Sequence, residues 1–373
     1  MKKALYTISL VSALCLTGCS DETDFANNEC YGRIYLSATT EKSAETRAPY
    51  EYTVPNNTDG VLNASVWAST NANSFLNKGW NGKTEDAEGE VAIYTSVSFD
   101  SGNPKLLNQA VYPQDGKPVS FIGLHPLSGW GSKDAGTCAT YSFNGSQDLM
   151  FAPRIQGKYA DPNDSGIVFD VPVLHFKHLL TWLKINIMAE NKEAADAWGK
   201  ILDMKITSKN NLTVRLDYDD KDNGETGYVY EEHVVYGTEG DESDENYGKL
   251  PLYYNGGDNV FPGVGGYTMD SDVTKPTKIA YVLCSPVQGF EKDVIDGVDV
   301  TVPEYTLHIA TEHRNVSLPV DLKTNSDTYF TGHSRAKCFT INLTFKMGNT
   351  IILSAELDEL DDWKLGGSGD FEI

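Results

Sequence analysis

The sequence has few positively charged residues, few cysteines and little helical patterning. Its 373 residues include 30 lysines and arginines against 53 aspartates and glutamates, so the formal net charge is −23 at pH 7. This balance excludes a nucleic acid as partner, because a protein that follows a phosphate backbone needs a basic surface. Hydrophobic residues make up 40% of the chain and charged residues 22%. These values are close to the globular average, and the length fits two domains of roughly 100 to 200 residues each.

Cysteine is scarce, and its spacing indicates no zinc site. Cys15 and Cys19 belong to the N-terminal segment, and no C-x-x-C pair occurs among the other four, Cys30, Cys138, Cys284 and Cys338. Cysteines without a regular spacing usually act as small buried hydrophobic residues. Export to an oxidising compartment would also permit a disulfide. The sequence leaves both alternatives open.

Catalytic and metal-binding motifs are also missing. There is no Gly-x-Ser-x-Gly elbow, and 53 acidic residues make any single carboxylate pair uninformative. The acidic residues 217–225 lack the EF-hand spacing, since Lys221 and Tyr230 would occupy two of the ligand positions. His175 and His178, three residues apart on a predicted strand, should point to opposite faces. We therefore expect no enzyme activity, no metal and no cofactor.

The first residues have the anatomy of a secretory signal. Lys2 and Lys3 precede an apolar stretch over residues 4–16 that is too short to span a bilayer as a helix. Residues 16–19, Leu-Thr-Gly-Cys, resemble the lipobox of bacterial lipoproteins, in which the cysteine takes the lipid. We therefore expect a signal peptide over residues 1–18 and lipidation at Cys19. An ordinary signal peptide is the alternative.

The remainder of the chain predicts β-structure. Short runs rich in β-branched and aromatic residues are divided by turns that contain many of the 33 glycines and 15 prolines. The predicted strands cover residues 91–95, 119–122, 171–188, 279–283, 305–309 and 339–345. Only residues 190–198 have a helical pattern. The run over residues 175–187, whose second half alternates like a half-buried strand, should close a first domain near residue 190.

Several segments together resemble the fimbrillin-like proteins of Gram-negative anaerobes. They are residues 118–126, 148–152 and 173–183, followed in the tail by residues 341–345, residues 351–355 and Trp363. The resemblance implies an all-β chain with two β-sandwich (transthyretin-like) domains in tandem, over residues 48–189 and 190–373, and few short helices. It also implies a pilus subunit of the outer membrane and cell surface, whose partners are other pilin subunits and a host or bacterial surface ligand.

A segment that precedes the first domain fits this class of protein. Residues 32–39 alternate Ile34, Leu36 and Ala38 with polar side chains, as a strand with one apolar face does. The resemblance implies a propeptide over residues 19–47, which a protease cutting between Arg47 and Ala48 would release together with this strand. A neighbouring subunit could then supply a replacement strand.

Other interpretations remain at this stage. Arg47 could be an ordinary linker arginine. The chain could instead be a surface glycan-binding or glycan-processing lipoprotein, or a non-polymerising anchor or adhesin of the same fold. Residues 351–357 could be the last native strand, which favours a tip or accessory position in a filament, or they could be the strand donated by a stalk subunit.

Overall fold

The fold is available from a computed structural model of the chain. It describes residues 37–40, 64–69, 95–98, 105–106, 112, 118–134, 137–158, 172–216, 234–237, 248–254, 259–271, 278–287, 292–295, 298–301, 305–323, 334–348 and 350–357. The structural statements below concern these residues.

The described residues are mainly β-strands, which confirms the predicted all-β class. The one helix within these ranges is α1 (Lys192–Trp198), inside the stretch with a helical pattern. The strands are β1 (Ser37–Thr40), β2 (Ala64–Ser69), β3 (Thr95–Ser98), β4 (Lys105–Leu106), β5 (Val119–His125), β6 (Gly131–Lys133), β7 (Cys138–Ser142), β8 (Met150–Gly157), β9 (Val173–His178), β10 (Thr181–Ala189), β11 (Ile201–Thr207), β12 (Asn211–Arg215), β13 (Val234–Gly237), β14 (Lys249–Tyr254), β15 (Val260–Phe261), β16 (Lys278–Cys284), β17 (Lys292–Ile295), β18 (Val298–Thr301), β19 (Tyr305–Thr311), β20 (Asn315–Val320), β21 (Cys338–Phe345) and β22 (Ile351–Leu357).

A seven-stranded sheet contains the first part of the chain, in the order β1-β9-β8-β5-β2-β3-β4. Its neighbouring strands are antiparallel except for β1 and β9, which are parallel. All seven residues of β5 are buried. The sheet packs closely at Gly123 of β5, where an added Cβ atom would lie 2.3 Å from Cζ of Phe176 on β9. Glycine is required there because the Phe176 ring occupies the space of a side chain.

Two further sheets are smaller. A four-stranded sheet has the order β13-β12-β7-β6, and β17 pairs with β18 in a separate hairpin. Strands β12 and β13 follow residue 190 in the chain, yet β12 pairs along its whole length with β7. Conversely β10 precedes residue 190 and pairs with β16 and β21. Strands on both sides of residue 190 therefore pair with each other. The domain boundary near residue 190 stays a prediction.

A nine-stranded sheet contains the second part, in the order β20-β19-β11-β14-β16-β10-β21-β22, with β15 attached to β14. Within it, β10 pairs antiparallel with β16 and parallel with β21. A short helix follows β10. Asn191 caps it by accepting a hydrogen bond from Ala194 N (2.8 Å), and Gly199 ends it with a φ of 71°.

Strand β10 corrects the expectation of a half-buried strand, because both of its faces are buried. The polar side chains that should face solvent find partners inside the protein. The Lys184 ammonium lies 4.6 Å from the Trp182 ring, and Asn186 Nδ2 donates to Asn342 Oδ1 at 2.8 Å. Tyr281 lies beside Lys184 in the sheet, and its hydroxyl donates to Ser146 O (3.2 Å) in the β7–β8 loop. The β7–β8 loop therefore covers the face of β10 that the alternating sequence pattern predicts to be exposed to solvent.

The described cysteines are buried. Cys138, Cys284 and Cys338 form no disulfide among the described residues, while Cys30 lies outside them. Burial raises the pKa of the Cys284 thiol, and the nearby Ser208 opposes this in part. Of the two interpretations of these cysteines, the structure supports small buried hydrophobic residues at these three positions.

Candidate strand-exchange site

The site that bears on function is the edge of the seven-stranded sheet formed by β1. Its four residues pair in parallel with β9, in a register that places Ser37 opposite Val173 and Thr40 opposite Phe176. Strand β8, on the other side of β9, pairs only at Met150 and Phe151, opposite His178 and Lys177. In the described ladders β1 is therefore the strand partner of the first four residues of β9.

Two apolar side chains of β9 are buried in the core. Leu174 and Phe176 are buried in the core, and Phe176 packs on Gly123 two strands away. His175 between them is exposed. Strand β9 thus presents a backbone edge to β1, while Leu174 and Phe176 are buried in the core. Such an edge can accept a strand because it offers regularly spaced N–H and C=O groups.

The predicted site residues are only partly within the described ranges. Ala38 lies on β1, opposite Leu174. Cys19, Ile34, Leu36, Arg47 and Ala48 lie outside the described residues, as do the acidic loop over residues 217–225 and Trp363. The structure therefore places one of the three apolar residues of the predicted releasable strand on the edge strand. The lipidation and cleavage positions stay predictions.

The end of β9 is held by a buried polar network that the sequence did not predict. His178 Nδ1 and Asp148 Oδ2 are 2.7 Å apart, and both side chains are buried. The second carboxylate oxygen, Asp148 Oδ1, has no hydrogen-bond partner among the described residues. Arg335 Nη1 donates to the carbonyl oxygen of His178 at 2.9 Å. The motifs over residues 148–152 and 173–183 were visible in the sequence, but their contact across 30 residues was not.

The two residues after His178 connect the sheets. Leu179 N donates to Leu149 O (2.8 Å), and the Tyr236 hydroxyl on β13 donates to Leu179 O. Ala336 N, just before β21, donates to Leu180 O at 3.0 Å. The short β9–β10 link is therefore bonded to segments of the seven-stranded, four-stranded and nine-stranded sheets. We call residues 178–180 with Asp148, Tyr236, Arg335 and Ala336 the junction.

The other candidate segments show no catalytic arrangement among the described residues. His178 is buried and His175 exposed, as expected for opposite faces of a strand. Residues 263–266 form a turn, with positive φ at Gly265 (99°) and Gly266 (74°). Within the described ranges no group of three His, Cys, Asp or Glu side chains could hold a metal ion. The helix found there is too short to cross a membrane.

Solved structures with a similar fold come from Bacteroides, Parabacteroides and Porphyromonas species. A Bacteroides uniformis protein assigned to cell adhesion has a TM-score of 0.47 at 14% identity, covering 89% of this chain and 100% of its own. A fimbrial protein of Bacteroides vulgatus has a TM-score of 0.42 at 12% identity, with 89% and 100% covered. The fimbrial anchor protein Mfa2 of Porphyromonas gingivalis has a TM-score of 0.40 at 9% identity, with 88% and 99% covered.

These structural neighbours are fimbrial and cell-adhesion proteins, the class that the sequence motifs resemble. No family model matches the chain, and no curated protein matches it.

Proposed function

We propose that the protein is a fimbrillin-like subunit of a cell-surface fimbrium, with a structural and adhesive function and no enzyme activity. The observation that carries this proposal is the position of β1. A short strand close to the N-terminus lies at a sheet edge, and its partner β9 is anchored by buried Leu174 and Phe176. An arginine follows seven residues after β1, at position 47. A cut there would separate β1 from the body of the protein and open the β9 edge to a strand from another subunit.

The life cycle that we propose follows from this arrangement. The precursor is exported with its signal peptide, lipidated at Cys19 and held at the outer membrane. Cleavage between Arg47 and Ala48 then releases the propeptide, and the body, with two β-sandwich domains in tandem, joins other pilin subunits. The junction supports this step, because its hydrogen bonds to residues 178 and 179, at the end of β9, do not involve β1.

A tip or accessory position is proposed over a stalk position. Residues 351–357, the candidate donor, are paired along their whole length with β21 of the same chain. A strand that completes its own sheet is not free to enter a neighbour's groove. The pairing therefore supports the interpretation of β22 as a native strand.

Replacing Cys19 by alanine is expected to abolish membrane anchoring of the precursor. Each buried CH₂ of an acyl chain contributes about 0.8 kcal/mol to membrane binding, so losing the lipid should move the precursor to the aqueous phase. Detergent-phase partition and fatty-acid labelling of cells that express wild-type or Cys19→Ala protein measure this. A variant that still takes up fatty acid would show that Cys19 is not the lipid attachment site.

Cleavage at Arg47 is the test of the proposed function. Limited trypsin treatment of the purified precursor should give a product that begins at Ala48, since an exposed linker is the natural site of cleavage. The Arg47→Ala variant should keep its N-terminal segment, whereas Arg33→Ala, a control within the propeptide, should be cleaved at Arg47 as before. Mature surface protein that retains residues 21–46 would contradict the proposal, and tight polysaccharide binding by a lasting monomer would favour the glycan-binding alternative.

A further inference from the structure

One face of the nine-stranded sheet carries a small basic patch on β11, β14 and β19. The residues before and after His308 on β19 are buried, whereas His308 itself is partly exposed on the other face. Lys205 of β11 lies directly opposite His308 in the antiparallel ladder, and Lys249 of β14 lies opposite Thr207 of β11. Directly opposite residues, and every second residue of one strand, share a face of a sheet. These four side chains therefore lie on the same, partly exposed face.

Two hydroxyl groups hold the His308 ring in this face. Its Nε2 lies 2.9 Å from Thr207 Oγ1 on β11, and its Nδ1 lies 2.9 Å from Ser317 Oγ on β20. Among the described residues neither hydroxyl has another partner. A neutral imidazole has one N–H and one lone pair, so one hydroxyl accepts from the ring and keeps its own O–H to donate elsewhere. The network thus presents a hydrogen-bond donor at a fixed position on the face.

The charged groups around His308 are mainly positive. Lys205 Nζ pairs with Asp203 Oδ2 at 3.1 Å, while Lys249 has no carboxylate partner among the described residues. Strand β20, on the other side of His308, contains no charged residue. Burial lowers the pKa of His308, and the ammonium groups of Lys249 and Lys205 lower it further. A chain with a formal net charge of −23 thus has a local site that favours a negative group.

The basic patch, defined as Lys205, Thr207, Lys249, His308 and Ser317, has the size and chemistry for one acidic group. The three steps from β20 to β14 cover about 14 Å, which is too short to follow a polyanion. A protein partner would need an apolar contact centre, whereas the partly exposed neighbours of His308 on β19 are a threonine and an alanine. An anionic membrane surface is recognised by about 4–8 basic residues, and the patch has two lysines.

We propose that the basic patch binds an acidic sugar residue of a surface glycan, with the carboxylate or sulfate beside Lys205 and Lys249 and sugar hydroxyls on Thr207 and Ser317. The lysines supply charge, and the hydroxyl and imidazole groups supply directional hydrogen bonds. The inference rests on the proposed function, because it gives the adhesive subunit a class of ligand. The patch lies on the nine-stranded sheet and β1 on the seven-stranded sheet, so ligand binding does not require strand exchange.

The test measures binding of the full chain to galactose 6-sulfate and to glucuronic acid, each displayed on a polyacrylamide carrier, by biolayer interferometry. Unmodified galactose on the same carrier is the neutral control. The sulfate and carboxylate arms show which acidic group is preferred, and the preferred probe should bind at least about tenfold more tightly than galactose. Equal binding of all three probes, or no binding of either acidic probe, would overturn the inference.

Two lysine variants locate the binding site. Lys249→Gln removes a charge from the basic patch and should weaken binding of the preferred probe at least about fivefold. Lys192→Gln makes the same change on α1, where the ammonium group pairs with Asp196, and should alter binding less than about twofold. Equal affinity of the two variants would place the sugar elsewhere and overturn the inference.

The pH dependence tests the part played by His308. An anion beside the ring favours the imidazolium form, in which both ring nitrogens donate and both hydroxyls keep an O–H for the ligand. Binding therefore takes up a proton, and affinity for galactose 6-sulfate, whose charge is constant, should rise as the pH falls from about 7.5 to about 5. His308→Gln should lose this rise. An equal rise in both proteins would contradict the position of the ligand beside His308.

A competitor and an assembly assay separate the possible explanations. A hexapeptide of aspartate that displaces the probe as well as galactose 6-sulfate does would overturn the assignment to a sugar. Cleaved Lys249→Gln protein should assemble like cleaved wild-type protein, because the patch is not needed for strand exchange. Wild-type protein that assembles but binds no acidic sugar would overturn the inference alone. Wild-type protein that binds the sugar but never assembles would contradict the proposed function instead.

Discussion

A chain that ends at Asn349 is expected to lose the fold of its nine-stranded sheet. Strand β22 pairs with β21 over seven residues, from Phe339 opposite Leu357 to Phe345 opposite Ile351, and it also holds Lys323. Without it the apolar edge of β21 and the buried Leu322 would face water. The loss of a complete strand is comparable with the whole stability of a domain, about 5–15 kcal/mol. Far-ultraviolet circular dichroism and limited proteolysis measure the result.

The matched control is a chain that ends at Leu357, which keeps β22 and removes only the residues after it. This control should unfold cooperatively, near the wild-type temperature. A stable folded monomer that lacks residues 350–373 but cannot enter assemblies would contradict the interpretation of β22 as a native strand. It would make residues 351–357 the donated strand and the protein a stalk subunit.

Replacing His178 by alanine is expected to destabilise the protein by about 3 kcal/mol or more. The substitution removes the 2.7 Å contact of Nδ1 with Asp148 and leaves a buried carboxyl group without that partner. A buried polar group that loses its hydrogen bond costs about 1–3 kcal/mol, and more when it is charged. The cavity left by the imidazole adds to this cost. Chemical denaturation of the purified body measures the free energy of unfolding.

Two further variants distinguish the contribution of the His178–Asp148 contact to stability from the effect of removing any histidine side chain. His175→Ala removes the same side chain from an exposed position on the same strand, and should change stability by about 0.5 kcal/mol or less. The double variant Asp148→Leu/His178→Leu should recover part of the loss, since replacing both partners by apolar groups leaves nothing unsatisfied. If His178→Ala lowers the free energy of unfolding no more than His175→Ala does, the junction does not stabilise the fold.

The strands with strong patterns were predicted well because a buried face imposes its period on the sequence. The predicted runs at 279–283, 305–309 and 339–345 correspond to β16, β19 and β21, and the helical stretch contains α1. Strand β19 shows the reason, since buried and partly exposed side chains alternate along all seven residues. Where one face meets the core and the other meets water, the sequence alone is informative.

The features that were missed depend on contacts between distant residues. Both faces of β10 are buried because the loop around Ser146 reaches Tyr281. The pairing of β12 with β7 joins residues about 70 positions apart, and neither short strand has a long enough pattern to be recognised. The junction likewise arises where separate segments meet. The edge position of β1 agrees with the strand pattern of residues 32–39, but pairing with β9 could not be derived from it.

The central claim, that release of the N-terminal strand permits assembly, is tested most directly by electron microscopy of the purified chain before and after cleavage at Arg47. Wild-type protein cut after Arg47 should form filaments or end-to-end oligomers, alone or with partner pilins from the same cells. Uncleavable Arg47→Ala protein, treated identically, should remain monomeric. Filaments of equal length from both proteins, or monomers from cleaved wild-type protein in the presence of those pilins, would contradict assembly by strand release.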